Sequence, residues 1–324
     1  MPEITYIGPG KEEDWEETLA MMNDAFFADD PEPRREFLRI LPKLYKPQYK
    51  PWEHNYILKE DGAVKATVGL FVFDEVYGSQ LLKCGGIGNV AVARDSRRKG
   101  YMLKCMDAAL EAAVAQGCDF SALGGQRQRY GYWGYERGGI LHHFDVTRTN
   151  LRHLDIDFTE EESLKYTAFQ VASEDADTIR AMKAIQDSKP VHVVYTEEEF
   201  YDVLCSWDRF PTAFKDKSTG GIVAFTTDSS LEVDTAGPVD LPQLCAAYYA
   251  LKGDALDRIS FQLPNYETAV IAGLQAFCDN WRTTTCEMFK VWNTEKVAAV
   301  GAELPLEHPP LYAAPLWMHH YDCV

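Results

Sequence analysis

The strongest constraint on this chain is the segment from residue 88 to residue 102, where a strand-like run changes into a helix-like one. The segment reads Gly-Asn-Val-Ala-Val-Ala-Arg-Asp-Ser-Arg-Arg-Lys-Gly-Tyr-Met, with three consecutive cations before a glycine. A helix N-terminus exposes unpaired backbone N–H groups and carries about half a positive charge. Cationic side chains directly before such an end therefore indicate a pyrophosphate site. The expected contacts come from Arg97, Arg98, Lys99, Gly100 and Tyr101.

The overall charge of the chain contrasts with this basic segment. The formal net charge is −18, because 50 acidic residues outnumber 32 lysines and arginines. Such a surface repels nucleic acids and anionic membranes, so neither is expected as a partner. It would attract a cationic small molecule, and we expect acids of the first two helices to line the cleft for that molecule. The candidates are Asp24, Asp29, Asp30 and Glu32.

Length and cysteine content bound the class of protein. A chain of 324 residues fits two domains of about 150 residues each. No apolar run approaches the roughly 20 residues that cross a bilayer, and the first residues lack a secretory pattern. The eight cysteines form no CxxC pair, so a disulfide framework or a metal site is not expected. These features favour a cytoplasmic protein with reduced thiols and leave a homo-oligomer open.

Hydrophobic periodicity predicts the same order of elements in both halves. The first half reads as strand, two helices, three strands, helix, strand, short helix and strand. Arg34 to Tyr45 is the second of its helices, and Asp61-Gly62 is a hairpin signal between two strands. The second half begins with a strand at Tyr166 and closes with a strand over Thr284–Trp292.

This order predicts an α/β (α+β) protein with two tandem domains, each a mixed, mostly antiparallel sheet flanked by helices. The expected boundaries are 1–150, 151–300 and an extended C-terminal tail at 301–324. Four prolines exclude regular structure from the tail. Its apolar and aromatic residues predict that it packs on the body of the protein.

Two nucleotide-binding motifs are rejected. Residues 86–91 match a relaxed GxGxxG/A fingerprint, but that motif must open a helix, whereas strand-like Val90-Ala91-Val92 follows here. The chain contains no GxxxxGK[S/T] sequence, so a P-loop hydrolase is also excluded.

The basic segment resembles the acetyl-CoA loop of the GNAT acetyltransferases, whose pattern is Arg/Gln-x-x-Gly-x-Gly/Ala after a strand reading Val-x-Val. Here the pattern is Arg97-x-x-Gly100-x-Met102, and Met102 departs from the small residue that is usual there. The resemblance implies that the loop amides and cations hold the pyrophosphate of acetyl-CoA. It also implies that the edge of the strand at Val90 and Val92 pairs with the pantetheine arm.

A second cluster, residues 124–136, resembles the Eis-type (enhanced intracellular survival) branch, in which GNAT-like domains occur in tandem. Its Tyr-Gly-x-aromatic-Gly-Tyr sequence places Tyr130 in the position of the general acid. In that branch the terminal carboxylate is threaded into the first domain as a base, which implies this role for Val324 near Tyr130. The alternatives are that Tyr130 belongs to the core and that the tail only joins the two domains.

The resemblance makes 1–150 the catalytic GNAT domain and 151–300 a degenerate GNAT-like domain. The stretch of the second half that corresponds to the basic loop, residues 234–240, is acidic and unsuited to phosphate. The chain also lacks room for the full third domain of Eis-type enzymes.

The function implied is an acetyl-CoA-dependent N-acetyltransferase, in which a primary amine attacks directly in a ternary complex. The amine would belong to a small cationic molecule or a lysine side chain, and a backbone N–H of the Val90–Val92 strand would polarise the thioester. A cysteine nucleophile is disfavoured, because no histidine is patterned beside Cys84, Cys105 or Cys118. His142-His143 and His319-His320 are interpreted as hydrogen-bonded filler rather than ligands.

Two alternatives remain. One is a non-catalytic acyl-CoA-binding module, which would be favoured if Tyr130 pointed into a core. The other is a tandem-GNAT aminoacyl transferase, which is disfavoured because those enzymes lack the pyrophosphate loop and a protein of this charge binds tRNA poorly.

Overall fold

The computed structural model describes residues 3–29, 36–278, 280–303, 316–318 and 322–324. The strands are β1 (Ile4–Pro9), β2 (Asn55–Glu60), β3 (Ala63–Tyr77), β4 (Gln80–Val92), β5 (Phe120–Leu123), β6 (Glu136–Arg137), β7 (Ile140–Thr147), β8 (Tyr166–Gln170), β9 (Val191–Val193), β10 (Thr212–Asp216), β11 (Ile222–Thr226), β12 (Leu231–Val233), β13 (Arg258–Pro264), β14 (Asn280–Thr285) and β15 (Met288–Val291). The helices are α1 (Trp15–Phe27), α2 (Phe37–Ile40), α3 (Pro42–Tyr45), α4 (Pro51–His54), α5 (Tyr101–Ala115), α6 (Arg127–Tyr130), α7 (Arg148–Arg152), α8 (Ala176–Asp187), α9 (Glu197–Leu204), α10 (Leu241–Lys252), α11 (Thr268–Gln275) and α12 (Thr294–Glu303).

The predicted fold class is confirmed: the protein is a mixed α/β structure whose sheets are flanked by helices. Within the described residues, the first sheet runs β1-β2-β3-β4-β5-β15-β6, with β9 on β3. A second sheet runs β12-β11-β10-β8 and a third runs β13-β7-β14. Among the strand pairs described, β4 with β5 is parallel and the others are antiparallel.

Local turn chemistry explains the hairpin between β2 and β3. Asp61 has a φ of 50° and Gly62 a φ of 86°, so both central residues are left-handed, as a tight two-residue turn requires. Glu60 pairs directly with Ala63 across this turn. The hairpin predicted at Asp61-Gly62 is therefore confirmed.

The prediction of one continuous second helix from Arg34 to Tyr45 was wrong. Residues 34 and 35 lie outside the described part of the chain, and the remainder is divided into α2 and α3 at Leu41. Leu41 has left the helical region, with φ −132° and ψ 60°. Proline disfavours a helical conformation in the preceding residue and has no N–H to donate, so Pro42 ends α2 and begins α3.

The last strand predicted for the second half, Thr284–Trp292, is divided into β14 and β15, and β15 lies in the first sheet. There Met288 pairs with Leu123 of β5 on one side and with Arg137 of β6 on the other. Conversely, β7 lies between β13 and β14, with Phe144 opposite both Phe261 and Trp281. Each half of the chain therefore supplies a central strand to a sheet of the other half.

This exchange is reciprocal in the order of the chain. The succession β5-α6-β6-β7 in the first half corresponds to β13-α11-β14-β15 in the second half, and the last strand of each succession is the one exchanged. The division at residue 150 remains a prediction, and the hydrogen-bonded sheets cross it.

The first sheet opens between β4 and β5. Their parallel pairing covers only Cys84 to Gly86 of β4, although that strand continues along β3 to Val92. Helix α5 packs on one face of this sheet, while α1 to α3 pack on the opposite face. The outer part of β4 therefore has one edge that is not paired with β5 and two differently lined faces.

Candidate active site

The centre of the candidate site is a β-bulge in β4. The register with β3 shifts between Thr67, which pairs with Ala91, and Gly69, which pairs with Gly88, so β4 carries one extra residue. Asn89 lies in this bulge and has a positive φ of 40°. A bulge removes backbone groups from the ladder and re-aims the neighbouring residues.

The bulge determines which residues of β4 face each side of the sheet. Val90 and Val92 pack with the cluster under α5. Gly86 and Gly88, which precede the bulge, lie against Val324 on the opposite face. The strand β4 therefore carries both features: Val90 and Val92, where the pantetheine is expected, and Gly86 and Gly88, which contact the end of the chain on the opposite face.

The basic loop reaches the N-terminus of α5 as the sequence predicted. Gly100 is the N-cap, with φ 77°, and the first turn of the helix holds no acidic residue and no capping side chain. A cavity of ≈ 380 Å³ lies at this helix end and is lined by Arg97, Arg98 and Gly100, together with Val92, Ser96, Tyr101, Met102, Leu103, Arg129, Tyr132 and Trp133. Exposed backbone N–H groups and two exposed guanidinium groups at one cavity suit an anion such as a pyrophosphate.

Lys99 and Tyr101 make a contact that the sequence did not reveal. The Lys99 ammonium lies 2.9 and 3.1 Å from the two carboxylate oxygens of Glu60, and the Tyr101 hydroxyl donates to the same carboxylate. The hydroxyl and the ammonium lower the pKa of Glu60, which keeps it ionised. Lys99 is therefore engaged by Glu60, whereas Arg97 and Arg98 form no ion pair with any carboxylate of the residues that the structure describes.

Tyr130 ends α6, directly after the Gly124-Gly125 break that follows β5. Its side chain is 6% exposed and packs with Tyr135 and Trp133. A Cβ on Gly125 would overlap its ring, so the glycine is needed for this placement. Burial raises the pKa of Tyr130 above its ordinary value of 10, although Arg129 acts in the opposite direction. The phenol is therefore protonated at neutral pH, and it lies at the margin of a core.

Val324 lies on the other face of β4, against the glycines that precede the bulge. A methyl group on Gly88 would lie 2.5 Å from its carboxyl carbon and 2.8 Å from its oxygen. A methyl group on Gly86 would lie 2.8 Å from its Cγ2 atom. The described parts of the tail also pack on the body, because Leu316, Trp317 and Met318 are buried and Tyr77 donates a 2.9 Å hydrogen bond to the Trp317 carbonyl. The proximity of Val324 to Tyr130 remains a prediction.

Val324 also borders a cavity of ≈ 340 Å³ formed by α3, β3, α9 and the tail. Its lining carries three carboxylic acids besides Val324, namely Asp74, Glu199 and Asp322, and one lysine, Lys43. The other lining residues are Leu44, Tyr49, His54, Phe71, Val72, Phe73, Val194, Tyr195 and Val203. The balance of charge in this cavity is acidic.

The sequence analysis predicted that other acids, from the first two helices, would line the cleft for a cationic acceptor. Asp24 and Asp29 both pair with Arg94, at 3.3 and 2.9 Å, and neither lines the cavity beside Val324. Asp30 and Glu32 lie outside the described residues. The acids that do line the cavity come from separate elements far apart in sequence, so no local motif could have revealed them.

Asp322 and Lys43 are the most buried charged residues of this cavity. Asp322 accepts a 2.5 Å hydrogen bond from the Tyr195 hydroxyl, which attaches the tail to the second half of the chain. Burial lowers the pKa of Lys43 to about 8, although Asp322 and Cys323 favour its charged form. These contacts hold the end of the chain within reach of β4.

The remaining candidates are accounted for by packing. Burial raises the pKa of Cys84, and it raises the pKa of Cys105 to about 12 and that of Cys118 to about 11, which suppresses the nucleophilic thiolate. His142 bonds to Asn265 at 2.8 Å and His143 to Thr284 at 2.7 Å, which confirms their interpretation as hydrogen-bonded filler. His319 and His320 lie outside the described residues.

No metal site and no membrane helix emerge in the described part of the chain. There, no group of three or more His, Cys, Asp or Glu residues could hold a metal ion. Across the same residues, no helix has both the length and the apolar character to span a bilayer.

The helix of the second half that corresponds to α5 lacks an anion site. The N-cap of α10 is Asp240, whose carboxylate accepts from the Gln243 N–H at 3.3 Å, and Pro242 removes one donor from the first turn. Lys165 pairs with the same carboxylate at 2.9 Å. An acid thus occupies the place where a phosphate would bind, as the sequence of residues 234–240 predicted.

Comparisons with known proteins agree with this geometry. Residues 7–138 match the model of the acetyltransferase (GNAT) domain. A comparison with curated proteins found no match.

Similar solved structures include a GCN5-related N-acetyltransferase from Kribbella flavida, with 15% identity over 92% of this chain and 74% of that one and a TM-score of 0.59. A probable N-acyltransferase from Enterococcus faecalis V583 has 13% identity over 91% and 74%, with a TM-score of 0.64. Eis1 from Mycobacterium abscessus has 12% identity over 93% and 76%, with a TM-score of 0.56. At these identities the likeness shows the fold.

Proposed function

Because residues 7–138 match the model of the GNAT acetyltransferase domain, we propose that this protein is an acetyl-CoA-dependent N-acetyltransferase acting on a primary amine. The observation that carries the proposal is the course of β4. The strand separates from β5, presents a bulged edge, and leads into a cationic helix N-terminus. A strand edge suits a linear amide-containing arm, and the helix terminus suits its pyrophosphate.

The residues of the chain supply binding, orientation and proton transfer. Acetyl-CoA would supply the activated acyl group, and Arg97, Arg98 and the amides after Gly100 would hold its pyrophosphate. The bulged backbone near Val90 would donate a hydrogen bond to the thioester oxygen, which polarises the carbonyl carbon. Holding the amine beside that carbon supplies much of the acceleration, since effective molarities of about 10⁵ M or more are reached in well-oriented reactions.

Nitrogen must lose two protons and sulfur must gain one as the new C–N bond forms and the C–S bond breaks. The Val324 carboxylate would orient the incoming ammonium and accept its first proton, which gives the neutral amine that attacks. An α-carboxyl group has an ordinary pKa of about 3.3–3.7, and burial in general raises the basicity of carboxyl groups. The Tyr130 phenol would donate its proton to the departing sulfur, and its raised pKa keeps that proton in place at neutral pH. The phenolate left behind would accept the second proton of the nitrogen, which gives the neutral amide and restores the phenol.

The test of the function is release of free thiol from acetyl-CoA in the presence of a panel of amines. Release that depends on an amine and yields the N-acetyl product supports the proposal. Acetyl-CoA binding without release for any amine of the panel contradicts it.

The acceptor is expected to be a cationic amine. The acidic cavity beside Val324 would attract it, so small alkyl diamines should be acetylated in preference to neutral or anionic acceptors of the same length. The preference should weaken as ionic strength rises, because exposed charges are screened over about 8–10 Å in physiological salt. Comparison of kcat/KM across matched acceptors measures it. Faster turnover of neutral or anionic acceptors would contradict the prediction.

Replacing Tyr130 with Phe is expected to lower kcat by roughly a hundredfold or more, because only the proton donor is removed. The ring and its contacts with Trp133 and Tyr135 remain, so the melting temperature and acetyl-CoA affinity should be unchanged. Tyr6→Phe is the matched control, because the Tyr6 hydroxyl of β1 donates only to the Pro9 carbonyl among the described residues, and it should keep wild-type kcat. Wild-type turnover in the Tyr130 variant would make that residue a packing residue.

The burial of Tyr130 favours one second candidate, a non-catalytic acyl-CoA-binding module. Its side chain belongs to the hydrophobic cluster under α5, and the residues that line the cavity at the basic loop include Arg129 and Trp133 but not Tyr130. Such a module would bind acetyl-CoA and release no thiol with any amine, so the same assay separates the two functions.

A further inference from the structure

We infer that Asn55 is a positioning residue of the acetyl-transfer site, acting through the bulge residue Asn89. This inference rests on the proposed function, in which the bulged edge of β4 faces the thioester. Asn55 is the first residue of β2, two strands away from β4, and it is completely buried.

The side chain of Asn55 joins three elements. Its amide nitrogen donates to the Pro51 carbonyl of α4 at 2.7 Å. Its amide oxygen accepts from the Asn89 side chain of β4 at 2.5 Å and from the Thr67 hydroxyl of β3 at 3.4 Å. Asn55, Thr67 and Asn89 are all at least nine-tenths buried, so water does not compete for these bonds.

The hydrogen bonds also fix which way each amide points. A carbonyl can only accept, so Pro51 requires the nitrogen of Asn55, and Asn55 must then present its oxygen to Asn89. Asn89 therefore donates to that oxygen from its amide nitrogen, which also lies 3.6 Å from the Met22 sulfur. The Asn89 oxygen is buried without a hydrogen-bond partner among the described residues. The Asn89 side chain is therefore anchored mainly by Asn55.

Asn89 needs this anchor because its backbone is strained. At a φ of 40° it lies in the left-handed region, which is unfavourable for most residues and which asparagine tolerates better than most. Strained residues persist when their surroundings over-determine them, and they cluster at active sites. A Cβ on Gly69, the partner strand's residue opposite Gly88, would overlap the Asn89 side chain, so β3 also leaves space for this arrangement.

The conformation of Asn89 sets the direction of the neighbouring peptide groups. If Asn89 returned to the extended region, the bulge would be lost or displaced and the side chains that follow would exchange faces of the sheet. The N–H groups beyond Asn89 and the Gly88 surface that contacts the Val324 carboxyl would shift together. A misplacement of about 1 Å at a reacting centre can lower the rate by about a hundredfold.

The test uses Asn55→Ala, Asn89→Gly and the double variant in the full chain, with Thr226→Val, at a buried threonine of β11 in the second sheet, as the control. Glycine adopts a positive φ without assistance, so Asn89→Gly should keep the bulge whether or not Asn55 is present. We expect Asn55→Ala to lower kcat by about tenfold or more with little change in the KM for acetyl-CoA. We expect the double variant to recover the kcat of Asn89→Gly, and Thr226→Val to remain near wild type.

This recovery distinguishes positioning from stability. A purely structural role would lower the melting temperature in Asn55→Ala without a selective loss of kcat, and the two effects would add in the double variant. Either result overturns the inference, as does wild-type kcat in folded Asn55→Ala. Asn55→Ser replaces Asn55→Ala in the same cycle if the alanine variant does not fold.

A failure of the proposed function gives a different result. In that case the wild-type protein releases no thiol at all. Calorimetry then compares acetyl-CoA with CoA, since the bulge would still contact the acetyl oxygen in an acyl-CoA-binding module. A preference for acetyl-CoA that is lost in Asn55→Ala and restored in the double variant supports the positioning role, and an unchanged preference overturns it.

Discussion

Extending the chain by a few residues beyond Val324 is expected to reduce acetyl transfer to background and to leave acetyl-CoA affinity unchanged. The carboxyl group of Val324 lies against Gly88 of β4, and an extension replaces that carboxylate with a neutral amide. The base and the anion that orients the amine are lost together, whereas the pyrophosphate loop lies on the other side of the strand. Steady-state kinetics and calorimetry on the same preparations separate the two effects.

A series of glycine variants tests the same contact without altering the tail. Gly88→Ala places a methyl group on the carboxyl atoms, and Gly86→Ala places one against the flexible Val324 side chain, so the first should impair turnover more. Gly237→Ala adds a methyl group where nothing lies within 4 Å and serves as the control.

Deleting Asp322–Val324 should likewise abolish transfer, although it also removes the hydrogen bond from Tyr195. Full activity in a C-terminally extended protein would show that the carboxylate has no catalytic role.

Replacing Arg97 and Arg98 together with Glu is expected to weaken acetyl-CoA binding by at least a hundredfold. Charge-assisted hydrogen bonds contribute about 1.5–3 kcal/mol each, and each 1.4 kcal/mol is a tenfold change in affinity. Both side chains are exposed and line the cavity before α5, so the fold should be retained. Lys99 is a weaker choice for this test because Glu60 already engages it.

Calorimetry with acetyl-CoA measures the effect. The matched control is the double variant Arg152→Glu and Arg282→Glu. It makes the same change in net charge at two exposed positions of the second half. It should leave affinity within about a factor of two, since charges beyond a Debye length of roughly 8–10 Å are screened. Equal affinity in the Arg97/Arg98 variant and the wild type would show that this loop does not bind the pyrophosphate.

The parts of the structure that the sequence predicted are those set by local chemistry. The Asp61-Gly62 turn and the junction at Gly100 follow from backbone preferences and periodicity within a few residues. The break at Leu41 was also local, and the signal, Pro42, was present but was outweighed by the helical spacing of the apolar residues around it. Reading the proline as a helix start would have corrected this error.

The exchange of β7 and β15 could not be predicted in the same way. An apolar run such as Met288–Val291 specifies a strand, but not which of two similar sheets it joins, because that choice depends on contacts between distant segments. The Asn55–Asn89 contact was missed for the same reason. Asn55 belongs to no motif, and nothing in the segment 88–102 distinguishes Asn89 from its neighbours, because the bulge that makes both residues important appears only once β3 and β4 are paired.

The exchanged strands have a consequence for synthesis of the protein. The slot between β5 and β6 stays empty until Met288 and its neighbours have been translated, long after Leu123. At about 5–20 residues per second, this delay on the ribosome is on the order of ten to thirty seconds. Throughout that interval two bare strand edges are available to any other extended segment, including one from a neighbouring nascent copy. Chaperone occupancy of the nascent first half would protect the gap until its own strand arrives.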